Sequence, residues 1–139
     1  IIGIKEASGN MSQIMNILRC RPENFLLLSG DDALSLAIIA VGGDGTISVV
    51  ANEVPDRFSR MIHLAMDGDW SSARAIHNQL LPLMEINFIE SNPIPVKTAM
   101  AMMGLIEENF RLPLCSMSTV NRIKLETLLH DMGLIETGK

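Results

Sequence analysis

The sequence predicts an α/β fold: three β/α units supplying a short parallel sheet, followed by an all-helical tail. Two observations predict it. First, one pattern recurs three times before residue 67: a short apolar run, a turn rich in Gly, Asp or Asn, then apolar residues at helical spacing. Second, no strand-like run follows Val50, and the remaining apolar residues fall at helical spacing only. With 47% hydrophobic residues, the 139-residue chain can bury a sizeable core.

The elements follow in order. Residues 1–5 form the first run, and Ala7-Ser8-Gly9-Asn10 the turn after it. Asn10 is placed to cap a helix carrying Met11, Ile14, Ile17 and Leu18 on one face. Residues 25–29 form the second run, and Gly30-Asp31-Asp32 leads into a helix over 33–41 with Leu34, Ala37, Ile38 and Val41. The third run covers 46–50 and is entered through Gly42-Gly43-Asp44-Gly45. Pro55 suits the first position of the next helix, which runs to about residue 66. Asp67-Gly68-Asp69 is a turn, and Asp69 can cap a long helix over 70–89. Residues 91–95, with Pro93 and Pro95, read as an extended break, because the residue before a proline is pushed away from helical geometry. A helix over 96–103 ends at Gly104, a loop covers 107–116, and a last helix over 119–132 closes on Gly133. The expected division is 1–67 for the β/α units and 68–139 for the helical extension. Three parallel strands leave both sheet edges open, and open edges invite pairing.

Composition excludes several classes. Net charge is −5, from 11 basic and 16 acidic residues, and no Lys/Arg cluster exists to neutralise phosphates. No nucleic acid is expected as a partner. The apolar runs are shorter than the roughly 20 residues of a membrane helix, so no membrane partner is expected either. Lys5-Glu6 interrupts the apolar start, which argues against a signal peptide, and the parent protein is expected to be cytoplasmic. Cys20 and Cys115 are far apart and read as two reduced thiols. The chain opens inside a strand-like run, so Ile1 reads as a cut point in a longer protein. There is no Tyr.

Four features bear on chemistry. In a strand, Ile1, Gly3 and Lys5 share one face and Ile2 and Ile4 the other. Gly3 removes bulk beside Lys5 on what would be the interior of a barrel. A lysine at the carboxyl end of a barrel strand sits where such barrels do their chemistry. Partial desolvation there would free its amine to attack a carbonyl carbon. The ordinary alternative is a strand-end lysine reaching water, and it is the commoner case. Ser29-Gly30-Asp31-Asp32 lies at the end of the second run. Gly30 would let a ligand approach the backbone, with one Asp capping the following helix or holding a loop; a plain turn is the equal alternative for Gly30, and Asp32 reads best as a helix cap. Gly42-Gly43-Asp44-Gly45-Thr46 precedes a strand rather than opening a helix, so it is a tight strand entry and not a phosphate loop. In the third run, Thr46 and Ser48 alternate with Ile47 and Val49. His63, His77 and His130 have no partner at metal-ligand spacing, so no metal is expected. The ten Met residues read as adaptable core or interface filling.

Gly3-Ile4-Lys5-Glu6-Ala7, Leu28-Ser29-Gly30-Asp31-Asp32, Gly42-Gly43-Asp44-Gly45-Thr46-Ile47-Ser48-Val49 and Asn92-Pro93-Ile94-Pro95-Val96-Lys97 occur in that order. Together they resemble the dihydrodipicolinate synthase (4-hydroxy-tetrahydrodipicolinate synthase) family of pyruvate-dependent Schiff-base aldolases and lyases. The resemblance covers essentially the whole chain. It implies the C-terminal part of a (β/α)8 TIM barrel, strands six to eight with their helices, plus a C-terminal helical extension. It implies that Lys5 forms an imine with pyruvate, that the derived enamine attacks aspartate semialdehyde, and that no separate cofactor is used. The backbone of Ile47 and Gly30 would line the pyruvate pocket. Relatives are usually homotetramers, which makes the first turns after Asn10 and Asp32 candidate contact surfaces. The N-terminal half of the same barrel would be the chain's nearest partner.

The family's proton relay, a Thr and two Tyr residues, lies on earlier strands, and none of it is in this sequence. The same holds for the Arg that holds the second substrate and for the lysine-feedback site. The chain alone is therefore expected to form an imine at most. Two other readings stay open: a sibling lyase or aldolase of the N-acetylneuraminate or keto-acid type, and a non-catalytic half-barrel that assembles through its open edges.

Overall fold

The computed structural model describes residues 1–136. Three parallel strands form one sheet in the order β1 (Gly3–Glu6), β2 (Leu26–Ser29), β3 (Gly45–Thr46). Six helices accompany them: α1 (Met11–Cys20), α2 (Ser35–Ala40), α3 (Pro55–Met66), α4 (Trp70–Ile86), α5 (Ile94–Met102) and α6 (Thr119–Asp131). The fold is therefore α/β with a parallel sheet, and the helical tail is present. The chain divides into two compact units, 1–79 and 80–139, with the division falling inside α4. Among the described residues, no helix is long and apolar enough to cross a membrane.

In the first unit, Lys5 pairs with Leu28, Glu6 with Ser29, and Ser29 with Thr46. Alternation then sorts the side chains. Leu27 and Ser29 are fully buried, and Leu27 packs with Ile14 of α1 and Ile38 of α2. Each such buried aliphatic side chain contributes about 1.5–3 kcal/mol. The opposite face carries Lys5 and Leu26, both exposed. A parallel sheet is ordinarily covered on both faces; the described residues cover one.

Helix α1 begins as its sequence predicts, with the Asn10 side chain accepting from the Gln13 amide at 3.1 Å. Helix α3 opens on Pro55, and Asp69 accepts from the Ser72 amide at 3.1 Å at the start of α4. Ile39, Ala65 and Ala73 form a second buried cluster. At the amino end of the sheet, the Asp44 carboxylate accepts from the Leu27 amide at 2.8 Å and pairs with the Arg21 guanidinium. Partial burial works to raise the Asp44 pKa, but Arg21 and the Leu27 amide outweigh it and hold the carboxyl below its usual value. The glycine-rich entry is thus a structural clamp.

Three expectations are corrected. The third strand covers Gly45–Thr46, not 46–50, because the chain leaves the sheet after Ile47 and enters a 3-10 turn at Val50–Asn52. The helix after Asp32 is shorter than 33–41, and Asp32 does not cap it: its carboxylate turns to Val49 and Val50 instead. The segment over 91–95 is a turn closed by the Ile94 amide on the Ser91 carbonyl, and α5 starts at Ile94. Pro95 sits in its first turn, where the missing N–H is not needed.

In the second unit, α5 packs on α6. Ala99, Leu125 and Leu129 are fully buried. The Glu90 carboxylate accepts from the Ser118 hydroxyl at 2.6 Å and the Asn121 side chain at 2.8 Å, fastening the start of α6. Gly133, at φ 67°, ends α6 with its amide on the His130 carbonyl.

The Asp44 clamp yields a prediction. Asp44→Asn loses the ion pair and weakens the bond to Leu27, and should cost about 1–2 kcal/mol, read as a lower urea midpoint. Glu6, 6% exposed, gives a second. Hydrogen bonds from the side chain and amide of Ser8 hold its carboxyl below the ordinary 4.5. A lowered folded value means stability fully present above 4.5 and lost as pH falls through the folded value. Glu6→Gln should therefore melt earlier than the parent sequence at neutral pH, and the two urea midpoints should converge on acidification.

Candidate active site

Parallel pairing places the carboxyl ends of all three strands on one side of the sheet. The ladder continues one residue beyond each of β2 and β3: the Gly30 amide donates to the Glu6 carbonyl at 2.7 Å, and the Ile47 amide to the Ser29 carbonyl at 2.8 Å. Gly30 and Ile47 therefore stand level on adjoining strands, and Lys5, paired with Leu28, lies two residues nearer the amino end on the same face.

Gly30 touches the lysine directly. A Cβ there would lie 2.7 Å from Cε of Lys5 and 2.9 Å from Cβ of Ala7, inside contact distance of both. The space that glycine leaves is taken by the stem of Lys5, where the sequence suggested approach by a ligand. Gly3 acts differently from expectation. Its missing side chain admits the Leu26 carbonyl, which would lie 2.6 Å from a Cβ, so Gly3 permits close β1–β2 pairing. Lys5 is exposed, so the described residues do not supply the desolvation expected of it.

The turn that follows Lys5 is held from below. Glu6 points to the buried face, where its carboxylate accepts from the Ser8 amide at 2.6 Å and the Gln13 side chain of α1 at 3.3 Å. The Ser8 hydroxyl accepts from the Asn10 amide at 3.1 Å. Lys5 thus projects from a strand end whose next residue is tied to a helix.

Behind Gly30 and Ile47 lies a buried polar network. Ser29 and Ser35 are fully buried. Both hydroxyls donate to the Asp31 carbonyl, at 2.8 and 2.9 Å. The Thr46 hydroxyl donates to the Ser29 carbonyl at 3.2 Å and lies 3.1 Å from the Ser35 hydroxyl, so Thr46 faces α2. Asp31 accepts from the Leu34 amide at 3.3 Å, which gives it the turn-closing role expected of Asp32. Asp32, 2% exposed, accepts from Val49 and Val50 at 2.9 and 2.8 Å. Sequence reasoning passed over Ser35, and for Asp32 it favoured the helix cap over the alternative that the structure shows, a carboxylate holding a loop. The only signal for Ser35 was a small polar residue beside the apolar stripe of Leu34 and Ile38.

An open cavity of about 310 Å³ lies at the other edge of β3, lined by Thr46, Ser48, Pro55, Phe58, Ile62 and His63 among others. Lys5 and Gly30 do not line it. Among the described residues, no three His, Cys, Asp or Glu side chains gather as a metal site would require. The chemistry the strand ends can offer is that of an accessible primary amine beside ordered backbone: nucleophilic attack on a carbonyl carbon.

Comparison with known proteins gives this arrangement a context. Residues 1–132 match the model of the dihydrodipicolinate synthetase family. A 4-hydroxy-tetrahydrodipicolinate synthase from Koribacter versatilis is 52% identical over 138 residues, which is 99% of this chain and 46% of that protein. One from Chloroherpeton thalassium is 50% identical, again over 99% of this chain and 46% of the relative. The crystal structure of dihydrodipicolinate synthase from Aquifex aeolicus superposes with a TM-score of 0.95 at 43% identity, covering 99% of this chain and 47% of that one. The chain thus spans about half the length of the relatives it matches. With the family model covering nearly all of it, the chain belongs to the dihydrodipicolinate synthetase family.

Proposed function

We propose that this chain is the C-terminal half of a 4-hydroxy-tetrahydrodipicolinate synthase, carrying strands six to eight of its TIM barrel and the imine-forming lysine. One observation carries the reading: Lys5 presents an exposed amine at a strand end, with its stem seated against Gly30 on the adjoining strand. Family membership and the names of the relatives support it.

In this reading the Lys5 amine attacks the ketone carbon of pyruvate and water leaves, forming the imine. Loss of a methyl proton gives the enamine, whose carbon attacks the aldehyde carbon of aspartate semialdehyde. The amino group of that substrate then closes on the imine carbon and displaces Lys5. No cofactor enters, because the protonated imine is itself the electron sink. Gly30 keeps the lysine stem aligned, and Ile47 offers backbone to the bound pyruvate. The proton transfers need an acid/base relay supplied by the other half of the barrel. That half would add strands to the free edges of β1 and β3, and the cavity beside β3 offers a place for side chains of such a strand. The whole enzyme is read as a cytoplasmic homotetramer.

Borohydride reduction in the presence of pyruvate, followed by mass spectrometry of the full-length protein, tests the reading. An adduct is expected on Lys5 and none in Lys5→Arg; an adduct elsewhere, or none, would overturn it. Turnover of aspartate semialdehyde is expected, and turnover of N-acetylneuraminate or sugar acids alone would move the assignment to a sibling lyase. Gly30→Ala should displace the lysine stem and lower kcat/KM by about 10²-fold, measured by steady-state kinetics on a variant that melts normally.

A further inference from the structure

We infer that Asp32 is a positioning residue for the pyruvate site, acting through the backbone that follows β3. The inference rests on the reading of Lys5 and Ile47 given above. Strand β3 ends at Thr46, yet by Val50 the chain is already in a 3-10 turn. The stretch from Ile47 to Ser48 makes that change of direction. Its near end is held by the Ile47 amide on the Ser29 carbonyl at 2.8 Å. Its far end is held by Asp32, whose Oδ2 accepts from the consecutive amides of Val49 and Val50 at 2.9 and 2.8 Å. Ser48 adds a local bond, its hydroxyl accepting from the Ala51 amide at 2.9 Å.

Asp32 is suited to this role by where it comes from. It lies two residues after Gly30, in the turn that leaves β2. A single side chain therefore ties the backbone after β3 to the segment that seats Lys5. It is 2% exposed, and Val50 is fully buried, so water does not replace the Val50 bond if it is lost. Its second oxygen, Oδ1, is buried without a hydrogen-bond partner among the described residues. A buried carboxylate with one oxygen unsatisfied is costly for stability alone. What it supplies is geometry, two consecutive amides converging on one acceptor oxygen. Lys5 is on the far side of β2 and makes no contact in this linkage. Loosening it should weaken pyruvate binding and leave the amine able to react.

The test uses the full-length protein and reads borohydride trapping of Lys5 against pyruvate concentration. In Asp32→Asn, which keeps the shape and one acceptor but loses the charge, half-saturation should move up several-fold. In Asp32→Ala it should move up about tenfold or more, equivalent to about 1.4 kcal/mol. At saturating pyruvate both should reach the parent's extent of trapping, and the KM for aspartate semialdehyde should stay within about twofold by the same arithmetic. Hydrogen exchange at the Val49 and Val50 amides should accelerate. If Asp32→Ala does not fold, Asp32→Asn alone decides. Unchanged half-saturation in a folded variant overturns the inference, as does a uniform loss of trapping at all pyruvate concentrations. Absence of any adduct in the parent protein is a different failure: it overturns the functional reading and this inference with it.

Discussion

Strand β2 is hydrogen-bonded along both edges, and its Leu27 and Ser29 are completely buried. Because the pairing is parallel on each side, neither neighbour can be joined to it by a tight turn. The chain must return across the sheet each time, and it does so through α1 and α2. That requirement puts every strand's carboxyl end on one side. Lys5, Gly30 and Ile47 are neighbours in space for this reason, although 25 and 17 residues of chain separate them.

Division of labour along the sheet follows. At the amino end, Asp44 and Arg21 hold β2 to the entry of β3, and nothing there resembles a reactive group. At the carboxyl end, the buried face holds Glu6, Ser29, Ser35 and Asp32, all polar and all engaged with backbone or with each other. These bonds bear on where the backbone lies, while the open face carries the amine. Moving the backbone away from this path would break these buried hydrogen bonds, which favours the path observed.

The open face and the two free edges are the other consequence. A parallel sheet normally has both faces covered, and the chain spans about half the length of its relatives. Lys5 and Ile47 are exposed on that open face.

Much of the fold was legible from sequence, and the reason is locality. Asn10 capping α1, Pro55 opening α3, Asp69 at the start of α4 and Gly133 ending α6 each act within four residues of themselves, so residue type and spacing suffice. The three apolar runs and their order were likewise readable, as was Lys5 at a strand end. The length of β3 was not. Thr46 through Val50 has the composition of a strand, but the Val49 and Val50 amides are claimed by Asp32 from 17 and 18 residues earlier. Nor could spacing show that Gly30 makes room for the lysine stem, since that contact spans 25 residues of chain and exists only once β1 and β2 pair. By itself the sequence determined which elements form and which residue is the nucleophile candidate. Tertiary pairing decided where the backbone around that nucleophile is held, because hydrogen bonds between distant segments depend on register, and register is a property of the packed sheet.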